Sequence, residues 1–107
     1  MTTAFPARFD AIKSTAFGSI TASYTALGTP ITHIARILKI VNGTDTAMFF
    51  SFDGTTDNDY IPAGGFTLYD LDSNQLSISV NTQVSVKYET VPTSGSVKVI
   101  NVFARGQ

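Results

Sequence analysis

The chain has 107 residues, 43% hydrophobic and 14% charged, with seven Lys and Arg against eight Asp and Glu and no cysteine. That length fits one domain with one core, and the hydrophobic share excludes a disordered chain. Without a basic cluster there is no footprint for nucleic acid, and without cysteine there are no disulfides, thiolate nucleophiles or Cys-ligated zinc. No apolar run approaches the ~18 residues of a membrane helix, and the N-terminus lacks the charged-then-apolar pattern of a secretory signal. The expectation is a chain made in the cytoplasm that engages neither membrane nor nucleic acid. Ser and Thr stand where charge would normally be, and Thr favours extended backbone.

Residues 6–17 carry the only helical spacing, with Phe5, Phe9, Ile12 and Ala16 on one face. Pro6 suits a first helical turn and Gly18 a position just past the end. Residues 1–18 are therefore expected to form a short helix, or else an extended arm lying on a neighbouring subunit. After Gly18 the period becomes two: Ile20, Ala22 and Tyr24 alternate with Thr21, Ser23 and Thr25, until Gly28-Thr29-Pro30 breaks the strand. Residues 34–41 (IARILKIV) are apolar on both faces, the pattern of a central strand covered on both sides.

The segment 40–74 packs two strand-like runs and three turn signals into a third of the chain. Asn42-Gly43, Asp53-Gly54 and Ala63-Gly64-Gly65 each mark a reversal. Residues 47–52 (AMFFSF) form one strand between them, and residues 66–71 (FTLYDL) another, with Phe66 and Leu68 on one face and Tyr69 and Leu71 on the other. Leu76, Ile78 and Val80 then keep the same parity as Val84, Val86 and Tyr88, which a two-residue hairpin at Asn81-Thr82 would not allow. Either a three-residue turn or one long bent strand is expected. Residues 92–95 make the last turn and residues 97–103 (VKVINVF) the closing strand. Seven or eight short strands at this spacing predict an all-β, antiparallel β-sandwich over residues 19–107, jelly-roll or Ig-like.

Chemistry is sparse in this pattern. His33, the single histidine, has no partner at ligand or catalytic spacing and is expected to pack at a strand start. Asp53, Asp57 and Asp59 are the candidate metal ligands, because carboxylates on one loop supply hard oxygens. EF-hand spacing is absent, so an exposed turn held by Asx side chains is expected instead, with no metal and no cofactor. Asp70, Asp72 and Asn74 form a second such cluster. No nucleophile elbow, phosphate loop or dinucleotide fingerprint appears, and no enzyme is expected. Adjacent Phe49 and Phe50 must face opposite sides of a strand, so one of them is free for contact if that strand is covered on one face only. Phe5, Phe9, Ile12, Phe49 and Tyr60 are the interface candidates. If the protein were a small carbohydrate- or host-surface-binding module, Tyr60, Tyr69 and the 53–59 loop would form its site.

Six pieces in order, AFGSITASYTALGTPITHIAR (16–36), VNGTD (41–45), SFDGTTD (51–57), IPAGGFTLYDL (61–71), TQVSVKY (82–88) and PTSGSV (92–97), resemble a group of small virion proteins of tailed bacteriophages. The resemblance spans nearly the whole chain and rests on the order of the pieces. It implies a β-sandwich with a non-enzymatic, structural role in the virion, most naturally as a capsid decoration or cement protein. Its expected partners are other virion proteins, above all the major capsid protein, and further copies of itself. A place at the head–tail junction or in the tail is the alternative, and the resemblance carries over no catalytic residues.

Overall fold

A computed structural model describes residues 7–71 and 78–104. Among these residues nine strands form two antiparallel sheets: β1 (Ala7–Phe9), β2 (Lys13–Ala16), β3 (Thr25–Ala26), β4 (Ile37–Asn42), β5 (Met48–Ser51), β6 (Asp59–Ile61), β7 (Phe66–Asp70), β8 (Ser85–Tyr88) and β9 (Ser96–Ala104). In the first sheet β9 lies between β4 and the two N-terminal strands, and β7 closes the far edge beyond β4. The second sheet runs β3-β8-β5-β6. The antiparallel pairs β2·β9, β3·β8, β4·β7 and β5·β6 are nested one inside the next. That is a ribbon folded across two sheets, the jelly-roll form of the expected β-sandwich.

The alternation of side chains explains the two layers. Leu38, Ile40, Val97 and Val99 from the first sheet, and Met48, Phe50, Ile61, Val84 and Val86 from the second, point between the sheets and are buried. Leu27, Ile31 and Ala35 close the same core from the segment before β4. This segment runs antiparallel to residues 78–86: Ala35 bridges Ile78, Ile31 N–H donates to Thr82 C=O at 3.0 Å, and Leu27 N–H to Val84 C=O at 2.8 Å. Residues 78–88 are thus one bent run, kinked at Asn81, whose φ is 72°. Val84 lies opposite Leu27, not opposite Val80 as the three-residue turn requires.

Three expectations need correction. The helix expected over residues 6–17 does not form: β1 and β2 pair instead with the long strand β9, and the only helical element among the described residues is a 3₁₀ turn at Phe17–Ser19. An isolated helix of that length is marginal in water, whereas an open strand edge offers alternate residues a pair of ladder hydrogen bonds. The strand over residues 20–25 shrinks to Thr25–Ala26, because the Thr21 hydroxyl donates to Ser23 C=O at 2.9 Å and accepts from Ser23 N–H at 3.2 Å, closing a local turn. Asn42-Gly43 does not make a tight hairpin, because β4 and β5 belong to different sheets. Neither residue has positive φ, and the chain crosses from one layer to the other.

Asn42 organises that crossing. Its side chain is fully buried at the end of β4. The amide donates to Ile61 C=O and Thr46 C=O, both at 2.9 Å, and to Pro62 C=O at 3.3 Å. Its oxygen accepts from Thr44 N–H at 3.1 Å and the Thr44 hydroxyl at 2.6 Å. One residue thereby ties the β4–β5 and β6–β7 crossings together.

Candidate interaction surfaces

Each sheet has an outer face, and the two differ in chemistry. On the first sheet, β9 turns Lys98, Ile100 and Val102 outward, β4 turns Ile37, Lys39 and Val41 outward, and β7 presents Phe66, Leu68 and Asp70. The register aligns them in rows: Val102, Ile37 and Asp70; Ile100, Lys39 and Leu68; Lys98, Val41 and Phe66. Phe9 pairs with Val102 and extends the first row. Phe9 is 77% exposed, Phe66 61%, Ile12 58% and Leu68 53%. Apolar side chains thus dominate a sheet face on which no described element packs, the feature that marks contact surfaces. Lys39 does not break the patch, because its ammonium lies over the Phe66 ring, 4.6 Å from the centroid.

The outer face of the second sheet is a closed polar–aromatic network. Phe50 points into the core, whereas Phe49 points out and lies 5.0 Å from the Tyr60 ring. Lys87, opposite Phe49 on β8, sits 4.7 Å from the Tyr24 centroid and 5.4 Å from that of Phe49, and pairs with Asp57 at 3.0 Å. Tyr24 donates to Asp57 at 2.5 Å and Tyr60 to Glu89 at 2.9 Å. Burial, then the Asp57 bond, raises the Tyr24 phenol. The bond to Tyr24 and then that to Lys87 hold the Asp57 carboxyl below its usual range. Among the described residues, Lys87, Asp57 and Glu89 on this face each have an intramolecular partner.

The three loop carboxylates do not converge. Asp53 folds back on its own turn, accepting from Thr56 N–H at 2.7 Å, Thr55 N–H at 2.9 Å and the Ser51 hydroxyl at 2.8 Å. The Thr56 N–H bond is the main cause that pulls its pKa down. Asp57 is engaged by Tyr24 and Lys87, and Asp59 accepts from the Tyr69 hydroxyl at 2.6 Å. Among the described residues no group of three acidic or imidazole side chains is arranged to hold a metal ion. Tyr69 faces inward, edge-on to Phe52, while Tyr60 lies on the outer face, so these two residues of the alternative carbohydrate- or host-surface-binding site lie on different sides of the second sheet. His33 packs: its ring stacks on Phe103 at 3.8 Å and 4°.

Of the interface candidates, Phe9 is exposed on the outer face of the first sheet, Ile12 is exposed in the β1–β2 connection, and Phe49 and Tyr60 lie on the second-sheet face. Phe5 lies outside the described residues, as do Asp72 and Asn74. Sequence reasoning missed Phe66, Leu68, Ile100 and Val102 as surface residues. The available signal was the doubling of apolar positions on both faces of residues 34–41, 66–71 and 97–103, in a fold whose described elements cover only one face of each sheet. Comparison with protein-family models, with curated proteins and with solved structures gives no match.

Proposed function

We propose that this protein is a non-enzymatic structural component of a tailed-phage virion that works through its surfaces, most simply as a decoration or cement protein on the capsid. The observation that carries the reading is the uncovered apolar face of the first sheet, where Phe9, Phe66 and Leu68 are each more than half exposed. A face of this kind gains free energy when a partner covers it, at roughly 25 cal/mol per Å² of apolar surface removed from water. The polar groups of the second face are satisfied within the molecule, which suits a surface left in contact with water. A jelly roll hosts many functions, so the fold adds nothing beyond compatibility; the virion context rests on the ordered sequence resemblance.

The test compares particles assembled with the wild-type chain and with a Phe66→Ser, Leu68→Ser double variant that keeps the same melting temperature. The reading predicts that the variant is lost from purified particles and that those particles release DNA at lower temperature. Full incorporation of the variant with unchanged particle stability would refute it.

A further inference from the structure

The sandwich has four sheet edges, and three are blunted in the ways that discourage strand addition. β3 offers only two residues. β6 offers three and runs into Pro62, which has no N–H to donate. The edge formed by β1 and β2 is interrupted between Phe9 and Lys13. β7 differs: Phe66–Asp70 pairs with β4 in unbroken register, contains no Pro or Lys, and ends its sheet with no described strand on the far side.

The direction of its backbone groups follows from the bonds at each end. Asn42 N–H donates to Gly65 C=O and Leu71 N–H to Arg36 C=O, both at 2.9 Å. Backbone groups alternate sides along an antiparallel strand, so Thr67 and Tyr69 also point theirs at β4. Phe66, Leu68 and Asp70 point three N–H and three C=O groups at the open edge. Their side chains share the outer apolar face.

We infer that β7 pairs with β7 of a second copy of this chain, antiparallel about a two-fold axis at Leu68. This register places Leu68 opposite its symmetry mate and Phe66 opposite Asp70 of the second copy. It is the register that uses all three outward-pointing residues, giving about six backbone hydrogen bonds by the alternation of paired positions. Charge complementarity favours the same alignment. Directly opposed side chains sit with Cβ atoms ~5 Å apart, so Asp70 of the second copy approaches the Phe66 ring on which the Lys39 ammonium rests, 4.6 Å from the centroid. The interface is isologous and closes as a dimer, and it makes one continuous sheet whose apolar outer face is doubled in width. The pairing is independent of the virion reading and holds or fails by itself.

The experiment measures mass by light scattering across a dilution series, for the wild-type chain and for Leu68→Lys, which sets like charges against each other at the axis. Leu68 is half exposed, but the new ammonium also faces Lys39 across the sheet, so the masses are compared at a temperature where circular dichroism shows both chains folded. A second arm uses the absence of native cysteine: in the proposed pair the two residues at position 68 have Cα atoms ~5.5 Å apart, within disulfide range. Leu68→Cys is oxidised beside Val91→Cys, an exposed position in the connection between β8 and β9. The inference predicts a concentration-dependent dimer, association weakened at least about tenfold in Leu68→Lys, and much faster cross-linking at position 68 than at 91. A chain that stays monomeric, a dimer that Leu68→Lys leaves intact, or equal cross-linking rates would overturn it.

Discussion

Asn42→Ala removes the side chain that joins the two sheet crossings, and the cost can be worked from its partners. Ile61 C=O and Thr44 N–H lose buried hydrogen bonds of 2.9 and 3.1 Å, while the Thr44 hydroxyl keeps its bond to Thr46 C=O. A buried polar group left without a partner costs about 1–3 kcal/mol, so two such groups predict a loss of about 3 kcal/mol once some water enters the site. For a domain of this size that is a fall in Tm on the order of 12–20 °C. The chain has no tryptophan, so far-UV circular dichroism in urea and on heating is the suitable readout. Asn42→Asp separates the two halves of the contact: it retains an acceptor for Thr44 but turns a carboxylate toward the carbonyls of Ile61 and Thr46. It should be at least as damaging at pH 7. A Tm shift below about 4 °C for Asn42→Ala would refute the assignment of this residue as the tie between the crossings.

Gly95 has φ +89°, and a Cβ built there would meet Gly43 C=O at 2.0 Å, so Gly95→Ala should cost about 3 kcal/mol or more in urea titration. Gly54 also has positive φ, +83°, but open space around it, so Gly54→Val should cost only the backbone strain of about 1–3 kcal/mol; equal losses at the two sites would contradict this distinction. The Tyr69 phenol is held above its ordinary value, first by burial and then by the bond to Asp59. Its contribution is full below about pH 10 and disappears as pH rises through the higher folded value, so Tyr69→Phe should flatten the alkaline loss of stability measured by denaturation at a series of pH values. The depressed Asp53 acts in the opposite sense. Its contribution is present above about pH 4 and fades as pH falls toward the folded value, so Asp53→Asn should lower Tm at pH 7 and converge with the wild type in acid.

The strands were legible where one face is apolar and the next residue polar. Val84 and Val86 point inward as their parity requires, and residues 78–88 form the bent run that this parity allows. Turn signals marked positions but not destinations: Asp53-Gly54 lies in a connection within one sheet, whereas Asn42-Gly43 carries the chain between sheets. Which of the two occurs depends on long-range pairing that no local spacing encodes. The N-terminal segment failed for the same reason. Phe9 and Ile12 have helical spacing, yet the open edge of β9 recruits Phe9 itself and residues 13–16 as strands. Among the candidate sites, the Asx turn at Asp53 followed from composition. The apolar outer face did not, because apolar residues on both sides of a strand ordinarily signal double burial.

The proposal that this chain serves as a virion component is tested most directly by its number of copies per purified phage particle. Quantitative mass spectrometry against the major capsid protein should find copies in a fixed symmetric ratio to the capsid subunits, as expected of a decoration protein. A small ring-sized number would move the protein to the neck or tail, and its absence from the particle would contradict the account.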